Sequence, residues 1–156
     1  MALDNNDVVS TLNNLIETCK DGENGFRTAA DGVKNSELKT LFLTYSQQRA
    51  QFAAELQAEV RNLGGDPEDT GSVAASLHRG WINIKSTVTG EDEGAVISEC
   101  ERGEDSAVKN YQEALREGLP ANVQSVVQRQ YTQVKDAHDR IRSLEKAEER
   151  TDSASA

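Results

Sequence analysis

Glu23, Gln48, Glu101, Glu104 and His138 interrupt otherwise apolar helical stripes, and Gln51 and Lys135 fall in the same layer with them. Carboxylate oxygens and an imidazole nitrogen are the donors that hard and borderline divalent ions take. Amide oxygens ligate weakly, and a protonated amine repels a cation. Glu23, Glu101, Glu104 and His138 are therefore the candidate metal donors, with iron, manganese or zinc as the ion. The competing reading is a metal-free polar layer in which Lys135 neutralises Glu104 or Glu101, while His138 and Gln48 satisfy Glu23. Charges taken out of water need such partners. No phosphate-binding glycine loop, EF-hand loop or nucleophile with a neighbouring base is present, so the sequence assigns no catalytic residue and leans away from an enzyme.

These side chains have to be positioned by helices, because strand signals are almost absent and apolar residues recur at three- and four-residue steps. A first helix is expected from the Asp4-Asn5-Asn6 cap, with Val9, Leu12, Ile16, Cys19, Phe26, Ala30 and Val33 on one stripe, and Gly32 to Ser36 as the turn. A second runs from about Ser36 to Leu63 and is stopped by Gly64-Gly65-Asp66-Pro67. A shorter connecting helix is read between Thr70 and Val88, with Ala74, Leu77, Trp81, Ile84 and Val88 inward. A third long helix is expected from Thr89 to Glu117, its acidic start Glu91-Asp92-Glu93 complementing the helix dipole. Gly118-Leu119-Pro120 reverses the chain into a last helix reaching roughly Glu149. One bundle domain over 1–150 and a disordered polar tail over 151–156 follow.

Two helical hairpins joined by a long connector can be arranged with a crossover. A connector of roughly 19 helical residues covers the ~40 Å length of a main helix at about 1.5 Å per residue. The fold class expected is all-α, a four-helix bundle with a short helix in the crossover between the second and third long helices. Counting equal steps from each turn puts Glu23 level with Tyr45 to Gln48, Glu101 with His138, and Glu104 with Lys135. Cys19 and Cys100 then fall on opposite sides of the polar layer, about 12 Å apart along the axis and too far for a disulfide. On the connector, His78, Arg79 and Trp81 form a cluster that serves either as an interface anchor or, for Trp81, as core.

The layer resembles that of ferritin-like di-metal proteins, in which two helices each supply a Glu and two supply a Glu-x-x-His pair. Glu23 and either Glu101 or Glu104 match the single carboxylates, but Gln48-x-x-Gln51 and Lys135-x-x-His138 stand where the pairs would be. The likeness is to a degenerate di-iron site. Over Leu12 to Leu144 the chain also resembles a bacterial family of ferritin-like four-helix proteins known as a domain of unknown function. The motifs are LIETCKDGENGF, LGGDP, LHRGW, ERGED and AHDRIRSL. That resemblance implies a ferritin-like bundle linked to stress physiology, and no particular reaction.

A formal charge of −10 argues against nucleic acid and anionic membrane as partners. No apolar run is long enough to span a bilayer, and Met1 to Asp7 is polar, so a cytoplasmic protein is expected. The function expected is a structural, interaction or stress-associated protein with a metal-free core, forming a homo-oligomer, its small-molecule ligand unknown. The alternative is a degenerate metal-binding oxidase or metal-storage protein.

Overall fold

The structure is a computed structural model; it describes residues 4–67, 81, 83–89 and 92–155, with side chains through residue 148. Five helices are described: α1 (Asn5–Asp31), α2 (Ser36–Asn62), α3 (Ile84–Thr89), α4 (Glu93–Leu115) and α5 (Ala121–Ser155). Among the described residues there is no strand.

Side-chain caps define the helix starts. Asp4 accepts from the Asp7 amide, Asn35 from the amides of Glu37 and Leu38, and Asp92 from that of Ala95. Each satisfies donors that have no partner within the first helical turn. The Asp92 cap corrects the expected start of the third long helix. Thr89 instead closes α3, its hydroxyl donating back to the Ser86 carbonyl. Gly64 and Gly118 lie in the left-handed region (φ 80° and 78°) and end α2 and α4 as expected. The last helix, by contrast, runs past Glu149 to Ser155, through most of the segment expected to be disordered; no glycine or proline follows Pro120 to stop it.

The two hairpins are joined by a crossover. Glu93, at the start of α4, accepts hydrogen bonds from the Lys34 and Asn35 amides in the α1–α2 turn. The other end of α2 lies beside the start of α1, where Asn13 donates to the Asp66 carbonyl. The chain therefore returns the length of the bundle between α2 and α4, which makes those two helices parallel and α1 antiparallel to α4.

Trp81 pins the returning segment. It is buried, 5 % exposed, and a β-carbon added at Gly25 of α1 or Gly103 of α4 would lie 2.4 or 2.2 Å from its indole ring. Only glycine lets α1 and α4 approach the ring this closely. Trp81 is thus core, not an exposed interface anchor, and packs edge-on against Phe26 with ring centroids 5.1 Å apart. His78 and Arg79, with most of the expected connecting helix, lie outside the described residues.

The apolar interior divides into two clusters. One holds Leu12, Ile16, Cys19, Leu56, Tyr111 and Val127; the other holds Phe26, Phe42, Trp81, Val96, Cys100 and Ile141. The cysteines fall in different clusters, and both thiols are free.

Candidate functional site

Between the two clusters lies an ion pair. Arg49 (α2) donates from Nη1 and Nη2 to the two carboxylate oxygens of Glu104 (α4), at 2.5 and 2.6 Å, with side chains 1 % and 0 % exposed. Both sit in the apolar register of their helices. Arg49 is seven residues from Phe42 and from Leu56, and Glu104 seven from Ile97 and from Tyr111, all four on the inward stripes. Gly22 of α1 makes room: a β-carbon there would lie 3.2 Å from Arg49 Cγ. The guanidinium also lies over the Phe26 ring, 5.4 Å from its centroid. Burial disfavours the charged guanidinium, but the Glu104 charge and hydrogen bonds outweigh it and hold the Arg49 pKa above its ordinary value.

A neutral chain of hydrogen bonds adjoins the pair. Cys19 Sγ lies 3.1 Å from the Tyr111 hydroxyl, which donates to Gln130 Oε1 at 2.7 Å. Burial pushes the Cys19 thiol up to about 11 and the Tyr111 phenol well above its usual range. Both therefore stay protonated at neutral pH.

The structure redistributes the seven residues singled out in the sequence. Glu104 alone enters the buried ion pair, and its partner is Arg49, not Lys135. Lys135 is a half-exposed cation bound to Asp139, its neighbour one turn along α5. Glu23 pairs with Arg27 on the surface of α1, not with His138 or Gln48. Gln48 accepts from Arg49 Nε at 3.3 Å and donates to Gln133 at 3.4 Å, and Gln51 is exposed. Position on the helix decides the outcome. Arg49 spans the core from an inward position, whereas Lys135, off the stripe, turns to the nearer carboxylate.

His138 and Glu101 do come together, in a second polar cluster on the α4–α5 face. His138 is 8 % exposed. Its Nε2 lies 2.5 Å from Asp105 Oδ1, and its Nδ1 lies 3.1 Å from Asp139 Oδ1. Facing α4, His138 thus meets Asp105, one turn beyond the Glu101 expected from symmetric counting. Glu101 instead hydrogen-bonds Glu145, and this contact, with burial and the negative charges around it, raises Glu101 to about 7 while Glu145 is lowered. Burial alone would lower the His138 pKa, but the hydrogen bonds to Asp139 and Asp105 prevail and raise it.

A ferritin-type di-metal centre does not fit these residues. A guanidinium occupies the core between α2 and α4, consuming both oxygens of Glu104, and Glu23 lies outside. The four donors expected from the sequence therefore do not converge. Among the described residues, the group of three metal-competent side chains that does converge is Glu101, Asp105 and His138, with one donor atom from each within 4.8 Å of the others. A groove of about 650 Å³ between α2, α5 and the start of α4 is floored by Leu38, Leu41, Ile97 and Leu144, and contains neither the ion pair nor this triad.

The architecture thus defines a crossover helical bundle with an ionic core. The chain belongs to the family described as Domain of unknown function (DUF2383), which matches residues 7–117, from early α1 through the end of α4. No curated protein matches the chain. No described helix is long and apolar enough to cross a membrane.

Proposed function

We propose that this chain is a ferritin-like bundle that acts as a structural or interaction protein with a metal-free core, working in the cytoplasm as a homo-oligomer. The observation that carries the reading is the Arg49–Glu104 pair, in which fixed protein charge fills the space between the helices. A guanidinium there repels any cation that would use Glu104 and neutralises the charge that would attract one. The protonated Cys19–Tyr111 contact beside it offers no anionic donor either.

Elemental analysis of protein loaded with iron or manganese and then desalted tests the core. The expected result is no stoichiometric ion whose retention depends on Glu104. One or two ions per chain in the wild type, lost in Glu104→Gln while the fold persists, would overturn the reading. Sedimentation equilibrium tests the association: a species larger than the 17.0 kDa chain is expected, and a monomer at every concentration would remove the oligomer from the proposal.

A further inference from the structure

The triad on the α4–α5 face has the form of a metal site even though the core does not. Glu101 and Asp105 are four residues apart on α4, the spacing that stacks two side chains on one helical face. His138 comes to them from α5, nearly buried, with Nε2 directed at Asp105. On its other side, Nδ1 is hydrogen-bonded to Asp139, whose two oxygens are both held by Lys135 at 2.9 and 3.0 Å. A carboxylate behind a ligating histidine is the usual outer support of a metal-bound imidazole, fixing the Nδ1–H tautomer and leaving the Nε2 lone pair for the ion.

The same tautomer creates a conflict that something positive must resolve. With the proton on Nδ1, Nε2 and Asp105 Oδ1 are two lone-pair atoms facing each other across 2.5 Å. A second proton, on the ring or on the Asp105 carboxyl, satisfies this contact, and a bound cation takes that proton's place.

We propose that Glu101, Asp105 and His138 bind one divalent transition-metal ion of the zinc class on the α4–α5 face, distinct from the ionic core. One imidazole with two carboxylates suits a borderline ion better than magnesium or calcium, which prefer oxygen throughout. Three protein donors leave a fourth position for water. Bonds of 2.0–2.2 Å place tetrahedral donors about 3.3 Å apart, so Asp105 has to withdraw by about an ångström. Its side chain is 61 % exposed and has room to do so. Binding exchanges the bridging proton for the ion.

Calorimetric titration of the untagged full chain with zinc chloride at pH 8, with cobalt(II) visible absorption as a spectroscopic companion, tests the site. One zinc per chain is expected, lost in His138→Ala and in Asp105→Asn and unchanged in Glu23→Gln. Asp139→Asn, which removes only the support behind the imidazole, should weaken binding by about 10- to 100-fold. Circular dichroism confirms that each variant is folded. The absence of saturable zinc binding in the wild type would overturn this site and leave the metal-free core standing. Zinc retained in His138→Ala and Asp105→Asn but lost in Glu104→Gln would overturn both.

Discussion

Arg49 and Glu104, 55 residues apart in sequence, face each other in the bundle interior, Nη1 donating to one carboxylate oxygen and Nη2 to the other. Because the two lie in register with apolar residues on either side, the pair closes the gap between two hydrophobic clusters that do not otherwise merge. Removing one partner strands a charge away from water, whereas removing both leaves a space that apolar side chains can fill. Glu104→Ala or Arg49→Ala should each cost about 3–5 kcal/mol. The double variant Arg49→Met with Glu104→Leu should be neutral, or more stable by about 1–4 kcal/mol. Urea melts of the four proteins check this; equal losses in single and double variants would contradict it.

Stability should fall as pH rises from about 5 to 8, in the presence of chelator. Glu101 is raised from 4.5 to about 7 in the folded chain, and His138 is raised from 6.5. Groups raised by folding contribute stability that is complete below their unfolded pKa and lost as pH passes their folded one. Glu145 is lowered by its contact with Glu101 and works in the opposite sense, its contribution fading as pH falls below the ordinary carboxylate range. The melting temperature at pH 6 should therefore exceed that at pH 8.5. Glu101→Gln, which mimics the protonated acid, should flatten the profile; an unchanged slope in that variant would count against the assignment.

Trp81 is the sole tryptophan, which makes the Gly25 and Gly103 contacts directly readable. Gly103→Ala puts a methyl group inside the space of the indole, an overpacking that should cost about 1–3 kcal/mol. Displacement of the ring toward water should red-shift its fluorescence. A variant with native emission and stability would show that α1 and α4 can part to admit the methyl.

Both cysteines should be silent toward Ellman's reagent in the native state at pH 8. Burial holds the Cys19 thiol near 11 and Cys100 well above its ordinary value, so little thiolate exists and access is closed. Unfolding in guanidinium without reductant should release two titratable thiols per chain. Fewer than two would signal a disulfide that the separation of the two clusters forbids.

The helices and crossover were legible in the sequence because their signals are local. The cap at Asp4, glycine stops after Asn62 and Leu115, and apolar steps such as Leu12, Ile16 and Cys19 reflect short-range physics. The polar partners were less legible. Arg49 is the residue that sequence reasoning passed over, although its seven-residue spacing from Phe42 and Leu56 marks it as inward. Gln130, between Val127 and Val134 on the same stripe, was missed for the same reason: a polar side chain was expected to face water, and the periodicity outweighed that expectation. His138 was found, but its partner depends on the exact offset of α5 against α4. That offset is set by the Arg116–Pro120 reversal and displaced the pairing by one turn from Glu101 to Asp105. The Lys135–Asp139 pair has the four-residue spacing that joins side chains on one helix, a local signal that was passed over because Lys135 was expected to face inward.

The Glu93 carboxylate, which accepts from the Lys34 and Asn35 amides at 2.6 and 3.0 Å, has a bearing on how the chain assembles. The reversal between α1 and α2 is short and local, yet two of its backbone donors are satisfied from 59 and 58 residues downstream. The first hairpin on its own leaves those donors to solvent, and the second hairpin on its own leaves its leading carboxylate without them. Each half thus carries a piece of the other's completion, and hydrogen exchange at Lys34 and Asn35 would report the moment the halves dock rather than the moment either helix forms.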